Sequence, residues 1–362
     1  MKNNRIKNNQ TCIRCVNDKT VKRIAFNEKG LCSHCSCYDT YKPRLKDYEQ
    51  LEKLFLQKIS AGEGEYVYDV AMGFSGGKDS TYVLYQLVHK YKLKVKAYTL
   101  DNGFLSQEAR EKISRLTQEL GVEHEYVECD MRLLKRVYRY IVSHYLSPCI
   151  ACSFLGYAVM INYASKINAR VGIHGRSTYQ MFRGLSDSHD DVFRPFIDAG
   201  LDENAVDLEK LYAEIITKID VLVDKKLAKD IKEKLLVDTR TQGYRDFIAY
   251  FLYHPYDHNE IIDFLQKNTS WKPQGEAEHF DCLIHNGALY LKNLVARRSH
   301  LMPEYSVMIN EGILTKAEAQ EKMQLSPDEK QAKKEIKTFC KYAGISYFWT
   351  MCKAKIYSKR WW

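Results

Sequence analysis

Short apolar runs alternate with amphipathic stretches through the first half of the chain. The run around Val70 and Met72 and the runs over 95–100, 125–129 and 170–174 have the length and composition of buried strands. Between them, apolar positions recur with a helical period, which predicts helices over 107–120, 131–145 and 161–168. Strands that alternate with helices at this spacing predict an α/β fold with a doubly wound parallel sheet.

The same pattern divides the chain into five regions. They are a cysteine-rich ribbon over 1–40, a linker helix over 41–65, the α/β core over 66–200, a charged helical insertion over 201–242 and a helical C-terminal region over 243–362. The periodic part of the linker runs from 41 to 58. We expect the C-terminal region to complete the active site.

The segment Ser75-Gly-Gly-Lys-Asp-Ser-Thr81 joins the first strand to a helix whose apolar period starts at Tyr82. Its two glycines let backbone N–H groups converge on an anion, and the helix start adds the positive end of its dipole. Lys78 adds a full positive charge, and Asp79 is suited to hold Mg²⁺ or to fix the loop. We therefore assign phosphate binding to Ser75, Gly76, Gly77, Lys78, Asp79, Ser80 and Thr81, with Lys78 and Asp79 also candidates for catalysis.

Two further segments follow predicted strands and should reach the same edge of the sheet. Ligands of open α/β sheets collect at the carboxyl ends of the strands. One segment contains Asp101 before Asn102-Gly103, and the other contains Gly175 after His174. We include Asp101 and Gly175 among the residues that bind this ligand, although Asp101 is equally well explained as a turn residue.

Four cysteines near the start of the chain have the spacing of a zinc ribbon. Cys12 and Cys15 form one Cys-x-x-Cys pair, and Cys32 and Cys35 form another after sixteen intervening residues. Four thiolates make a closed tetrahedral site, which indicates a structural Zn²⁺. Unligated cytosolic thiols are the alternative.

A second set of cysteines is a candidate for a catalytic role rather than a structural one. Cys149 and Cys152 form a pair that we place in the loop after the helix over 131–145, and Cys282 is the best third ligand from a later loop. Three thiolates suit a [4Fe-4S] cluster with one open iron, so we assign all three cysteines to catalysis. A redox-active disulfide and buried unligated thiols remain open alternatives.

Composition and charge narrow the class of protein. Eleven cysteines, mostly paired at metal-ligand spacing, favour a reducing compartment, and neither a membrane span nor a secretion signal is evident, so we expect a cytoplasmic protein. The net charge of +9 gathers at the ends: residues 1–60 hold 13 Lys or Arg against 6 Asp or Glu, and residues 328–362 hold 9 against 3. Basic ends are compatible with nucleic-acid contact, but we favour solvated surface lysines, because no aromatic-interleaved RNA motif accompanies them.

The loop spacing resembles one known superfamily. Ser75-Gly-Gly-Lys-Asp-Ser80 lacks the four residues that a Walker A motif places before its Gly-Lys pair, and it is similar to the PP-loop of the ATP pyrophosphatases. That resemblance implies cleavage of ATP, with Mg²⁺, between the α and β phosphates and formation of an adenylated intermediate. It also implies that the phosphate-binding residues 75–81, together with Asp101 and Gly175, bind ATP.

Both ends of the chain add a narrower resemblance. The cysteine arm with Phe26-Asn-Glu-Lys-Gly-Leu-Cys32, and the segment from Phe339 to Trp349, look like the N-acetyl sugar amidotransferases of bacterial surface-polysaccharide synthesis. In that family, ammonia from a separate glutaminase displaces AMP. Cys149, Cys152 and Cys282 depart from this family and resemble the cluster ligands of the PP-loop tRNA thiolation enzymes.

These resemblances imply two enzymatic hypotheses that share the activation step. In the first, which we favour, sulfur from a donor replaces an activated oxygen, and in the second, ammonia replaces it. The acceptor would be a small molecule or an RNA, and a homodimer is compatible with either hypothesis. A third hypothesis is a nucleotide-sensing RNA-binding module, for which Lys78 and Asp79 beside three cysteines would be unnecessary.

Overall fold

The computed structural model describes most of the chain. The described residues are 10–21, 24–41, 47–61, 65–177, 179–180, 219–235, 246–273, 282–296, 298–299, 301–324 and 328–360. Much of the predicted insertion over 201–242 lies outside them. Within the described part, no helix has the length and apolar character needed to cross a membrane.

Five parallel strands form the central sheet, which confirms the predicted fold class. They are β1 (Tyr68–Gly73), β2 (Val95–Asp101), β3 (Glu123–Glu128), β4 (Ala169–His174) and β5 (Asp246–Ala249). The order across the sheet is β3-β2-β1-β4-β5, and β1 pairs with β2 on one side and β4 on the other. The order therefore reverses at β1, where open α/β sheets bind their ligands.

Four helices belong to the core, and short polar side chains cap two of them. They are α3 (Lys78–Tyr85, continued by a π-helical turn over Gln86–Lys90), α4 (Gln107–Glu119), α5 (Met131–Tyr145) and α6 (Pro148–Lys166). Ser106 accepts the N–H of Ala109 to start α4, and Asp130 accepts two N–H groups to start α5.

The remaining helices lie before and after the core. They are α1 (Ser33–Tyr41), α2 (Tyr48–Ser60), α7 (Lys225–Leu235), α8 (Tyr250–Tyr253), α9 (His258–Asn268), α10 (His285–Ala296), α11 (Met302–Asn310), α12 (Lys316–Gln324), α13 (Glu329–Ala343) and α14 (Tyr347–Arg360). Helix α1 packs on α11, and α10 packs on α13. The ribbon is thus attached to the C-terminal region: Val16 and Val21 share a small apolar core with Met302 and Ala319.

Three predicted elements differ from the structure. The linker helix begins at Tyr48 because Asp47 caps it, while α1 ends at Tyr41. The stretch over 243–253, predicted as helix, contains β5, whose position at the sheet edge depends on pairing with β4. The pair Cys149 and Cys152 is not in a loop but in the first turn of α6, where Pro148 occupies the N1 position.

Candidate active site

The loop between β1 and α3 turns on Gly76. Its φ of +69° is a conformation that glycine adopts without strain. The hydroxyls of Ser80 and Thr81 donate to the carbonyl of Gly77 at 3.1 and 2.8 Å, and Ser75 Oγ lies 3.1 Å from Ser80 Oγ. The Thr81 side chain is buried and stabilises the turn. The outward N–H groups of the first helical turn form the kind of site that binds phosphate.

A hydrogen-bonded chain supports this loop from behind. Thr99 of β2 donates its hydroxyl to the carbonyl of Phe74 at 2.5 Å, and Thr99 Oγ1 lies 2.8 Å from His124 Nε2. Burial lowers the pKa of His124 to about 4, so the ring is neutral near pH 7. A neutral ring with its proton on Nε2 can donate to Thr99, so all three groups are satisfied.

Lys78 and Asp79 meet a tyrosine from the far end of the sheet. Lys78 Nζ lies 2.5 Å from Asp79 Oδ1 and 2.6 Å from the Tyr256 hydroxyl. That hydroxyl also lies 3.0 Å from Asp79 Oδ1, which closes a triangle. The Lys78 side chain is 9% exposed, so the triangle holds its ammonium group largely away from water at the edge of the loop.

The end of β4 lies directly against the start of α3. A Cβ added to Gly175 would lie 3.1 Å from the backbone oxygen of Asp79 and 3.1 Å from the Ser80 Cα. A side chain at 175 would press on this backbone, so glycine lets the two segments approach this closely. The neighbouring His174 is buried, and burial lowers its pKa to about 3.

The loop after β2 is organised by Asp101 and Asn102. Asp101 Oδ1 accepts the N–H of Gly103 at 2.9 Å, and its other oxygen forms an ion pair with Arg110 of α4. This arrangement matches the turn interpretation of Asp101, and its assignment to ATP or metal remains a prediction. The Asn102 side-chain oxygen accepts the N–H of Phe104 at 2.9 Å.

The second cysteine set surrounds this β2 loop. The hydroxyl of Tyr138 from α5 lies 3.0 Å from Cys152 Sγ and donates to the carbonyl of Asn102 at 3.0 Å. Cys282 pairs with Leu105 in an antiparallel bridge, directly after the loop. Burial raises the pKa of the Tyr138 hydroxyl, and the charges of Cys152 and Cys282 raise it further. Both cysteines are therefore close enough to influence the same phenol.

The three cysteines do not form a single-ion site. Among the described residues, only the four N-terminal cysteines bring three or more candidate ligand atoms within 4.8 Å of one another. Cys149 lies one helical turn before Cys152, and burial raises the pKa of Cys152 to about 12, with the charge of Cys149 adding to the effect. A [4Fe-4S] cluster spreads its thiolates over several iron atoms and does not require them within single-ion distance of one another. Cluster binding remains a prediction.

The N-terminal cysteines form a compact buried group. Cys12, Cys15, Cys32 and Cys35 are all inaccessible to solvent, and their sulfur atoms lie within 4.8 Å of one another. Hydrogen bonds from Cys15 and Cys35 lower the pKa of Cys32, so the group already favours a thiolate. The donor set fits a tetrahedral Zn²⁺.

Each of these sulfur atoms also accepts an N–H group. Backbone N–H groups of Cys32 and Asn17 point at Cys12 and Cys15 at 3.3 and 3.4 Å, respectively. The Asn17 amide lies 3.9 Å from Cys32 Sγ, and the Asn310 amide of α11 donates to Cys35 Sγ at 3.3 Å. Such outer contacts orient metal-bound thiolates, which strengthens the fit to zinc.

Sequence patterns missed the residues that hold the site from a distance. Tyr256 lies between two helices in a segment without a recognisable motif, and Arg110, Tyr138 and Asn310 occupy ordinary helical positions. Tyr138 occupies an apolar position of α5, so its helical period indicated burial but not its partner. No local spacing connects Asn310 to a cysteine 275 residues earlier.

A comparison with protein-family models found no match. Two uncharacterized proteins of Methanocaldococcus jannaschii, MJ1599 and MJ1638, are each 29% identical to this chain, over 149 and 136 residues. The aligned parts cover 40% and 35% of this chain, which spans about half the length of each of these curated relatives.

Three solved structures are similar to this chain. The U34-tRNA thiolase NcsA from Methanococcus maripaludis with its [4Fe-4S] cluster is 16% identical, with 87% of this chain and 90% of that chain covered, at a TM-score of 0.36. An NH3-dependent NAD synthetase from Campylobacter jejuni is 19% identical, with 52% and 93% covered, at a TM-score of 0.31. An NMN synthetase from Francisella tularensis is 14% identical, with 64% and 99% covered, at a TM-score of 0.29. Similarity at this level says nothing about the activity of this chain.

Proposed function

We propose that this protein is an AMP-forming ATP pyrophosphatase that adenylates an oxygen of its acceptor and then replaces that oxygen with sulfur. The observation that carries the proposal is the position of Lys78 and Asp79. They occupy the first turn of α3, directly after the glycine turn at the end of the central strand. An anion-binding helix start, a buried lysine and a carboxylate suited to Mg²⁺ are what the leaving of pyrophosphate requires.

In the first step, an acceptor carbonyl or amide oxygen attacks the α phosphorus of ATP. The bond between the α phosphorus and the oxygen that bridges it to the β phosphorus breaks, and pyrophosphate leaves with the electron pair of that bond. Backbone N–H groups of the loop and Lys78 stabilise the negative charge that develops on pyrophosphate. Gly175 keeps β4 close to this turn, and Tyr256 holds the Lys78 ammonium beside Asp79.

In the second step, a sulfide sulfur attacks the acceptor carbon, and AMP leaves with the original oxygen. Support for sulfur comes from Cys152 and Cys282 beside the loop after β2, the strand next to β1. When bound by Cys149, Cys152 and Cys282, a [4Fe-4S] cluster supplies an open iron for the sulfur donor. Burial keeps Cys152 protonated at neutral pH, so cluster binding requires release of its proton.

The test is product analysis with ATP labelled at the α phosphorus. Wild-type protein should form AMP and pyrophosphate when given total tRNA or a UDP-linked N-acetyl sugar, and Lys78→Ala should be slower by on the order of 10²-fold. Lys96→Ala is the matched control, because Lys96 is also partly buried and also forms an ion pair, with Glu123. That pair lies at the amino-terminal ends of β2 and β3, at the edge of the sheet opposite to the loop. Accumulation of ADP, or equal rates for Lys78→Ala and Lys96→Ala, would contradict the proposal.

Nitrogen in place of sulfur is the second candidate, and one observation favours it. The C-terminal segment that resembles the sugar amidotransferases packs on the β2 loop: the Phe104 ring lies 5.5 Å from Phe339 and 4.7 Å from Tyr342. Assays with sulfide or ammonia as the second nucleophile separate the two. Acceptor-dependent AMP release that requires ammonia and survives Ala at all three cysteines would replace the sulfur proposal.

A further inference from the structure

A stripe of lysines runs along the outer face of α13. Lys330, Lys334, Lys337 and Lys341 recur at intervals of four, three and four residues, which places them on one side of the helix, and all four are exposed. Within the described part of the chain, none of them forms an ion pair. Like charges at this spacing destabilise a helix, so an uncompensated stripe suggests an anionic partner.

A second basic stripe on α5 meets the first. Arg132, Lys135, Arg136 and Arg139 share one exposed face of α5, a helix without acidic residues. Arg136 is paired with Asp230 of α7, which leaves Arg132, Lys135 and Arg139 as the unpaired charges of this face among the described residues. Lys135 Nζ lies 4.9 Å from the ring centre of Tyr342, and Arg139 Nε donates to the carbonyl of Ala343 at 3.1 Å. Both contacts are at the C-terminal end of α13, so the stripes converge there.

Two exposed aromatic rings lie beside this junction. Phe348 and Trp349 begin α14 shortly after α13 ends, and their exposures are 64% and 70%. Their ring centres lie 5.5 Å apart. Helix α14 contains no acidic residue, and Lys355 on it is exposed. Large rings in water next to uncompensated positive charge are typical of surfaces that stack on unpaired bases.

The junction also borders the candidate active site. Tyr342, which contacts Lys135, packs against Phe104 in the loop after β2. The same loop contacts Cys152 through Asn102. An anionic polymer on the two stripes would therefore pass close to the cysteines and the end of β2.

We propose that α5, α13 and the start of α14 bind RNA, and that the acceptor of the adenylation is a nucleotide in a single-stranded part of that RNA. The identity of the acceptor rests on the proposed function, whereas RNA binding does not. The regular stripes match the repeating phosphates of a backbone, and the two rings supply stacking for bases. An acidic protein or a lipid surface would use the charges but has no bases to stack on the rings.

The experiment measures the affinity of the full-length protein for a labelled RNA hairpin with a single-stranded loop, in a salt series and without ATP. The triple variant Lys334→Glu, Lys337→Glu, Lys341→Glu should bind at least tenfold more weakly and lower the slope of log K against log salt by about 2. The matched control is Lys53→Glu, Lys267→Glu, Lys272→Glu, which changes the same net charge at exposed lysines on other elements. Phe348→Ala with Trp349→Ala should cost on the order of tenfold to a hundredfold for the hairpin, and less for a duplex of equal length.

Each alternative result overturns RNA binding here. The first is an equal loss of hairpin affinity in the stripe and control variants, and the second is an unchanged affinity after the aromatic substitutions. The third is a stripe-dependent affinity for phosphatidylserine vesicles in place of RNA. The proposed function is tested separately by AMP formation. If the hairpin binds as expected but no acceptor supports AMP release, the activity fails while the binding surface stands. If AMP forms only with small acceptors and RNA does not bind, the activity stands and the surface assignment fails.

Discussion

The hydroxyl of Tyr256 lies 2.6 Å from Nζ of Lys78, across 178 residues of sequence. The tyrosine follows the short helix α8 after the edge strand β5, whereas the lysine begins the helix after the central strand β1. The same hydroxyl contacts Asp79. The C-terminal half of the chain therefore holds the two charged residues of the loop in place.

Tyr256→Phe should weaken the use of ATP without abolishing it. The substitution removes one hydrogen bond to each of Lys78 and Asp79, so we expect kcat/KM for ATP to fall about tenfold, far less than for Lys78→Ala. Pyrophosphate release measures this. Tyr290→Phe is the control, because its hydroxyl also contacts a carboxylate, that of Glu329, in the C-terminal helices. Unchanged kinetics for Tyr256→Phe would show that the triangle has no part in catalysis.

Asn310→Ala should loosen zinc in the ribbon. Its amide donates to Cys35 Sγ, and loss of such an outer contact typically lowers metal affinity 10- to 100-fold, an order-of-magnitude range. Zinc release to a chromogenic chelator provides the measurement. Asn268→Ala is closely matched, because both asparagines also donate to the carbonyl four residues earlier, and Asn268 does so without a sulfur contact. Equal release rates in the two variants would refute the role of Asn310.

Removal of the ribbon should also affect the C-terminal region. Lys316 of α12 donates to the carbonyl of Cys12 at 2.6 Å, and apolar side chains of the ribbon are buried against α11 and α12. A chain that begins near Tyr41 should therefore contain no structural zinc and have a lower melting temperature. Retention of zinc in that chain would place the metal elsewhere.

Cys149→Ala, Cys152→Ala and Cys282→Ala should each reduce the iron content of protein purified without oxygen. Each substitution removes one of the three proposed thiolate ligands, and the two that remain leave one more iron without a protein ligand. Iron and sulfide analysis with absorption spectra measures the effect, and Cys352→Ala, a half-buried cysteine on α14, serves as the control. Colourless wild-type protein with a reversible Cys149–Cys152 disulfide would instead favour the redox alternative.

Acid should destabilise the protein through its buried histidines. Burial lowers the pKa of His254 to about 4; its Nε2 lies 2.7 Å from the Tyr91 hydroxyl, and Nδ1 donates to the carbonyl of Tyr250. Between about pH 4 and its ordinary pKa of 6.5, the unfolded state binds the proton and the folded state does not. The free energy of unfolding should therefore decrease as the pH falls through this window, by on the order of 3 kcal/mol from this group.

Urea denaturation at a series of pH values tests this expectation. His254→Gln should be less stable than wild type at pH 7 and show a shallower loss of stability on acidification. A wild-type free energy of unfolding that stays constant from pH 7 to pH 4, or an unchanged slope in His254→Gln, would contradict it.

The sequence by itself determined two sites of this protein, the loop around Lys78 and the group of four N-terminal cysteines, because the residues of each lie close together along the chain. The strand, glycine turn and helix around Lys78 are contiguous, so their geometry follows from neighbouring residues, and the fold class was correctly predicted for this reason. The spacing of Cys12, Cys15, Cys32 and Cys35 likewise brings four sulfur atoms together through short turns. Amphipathic periodicity gave the exact bounds of α5, because one face of that helix is buried throughout.

Only the tertiary structure decided which distant residues contact these sites and the second cysteine set. A four-residue edge strand such as β5 has too little periodic signal, and it exists because β4 offers an open edge. The partners of Lys78, Cys35 and Cys152 are Tyr256, Asn310 and Tyr138, each brought there by the packing of whole helices. A single side chain that emerges from an ordinary helix or loop carries no local mark of its partner, because the contact is fixed by how the elements pack and not by the residues beside it.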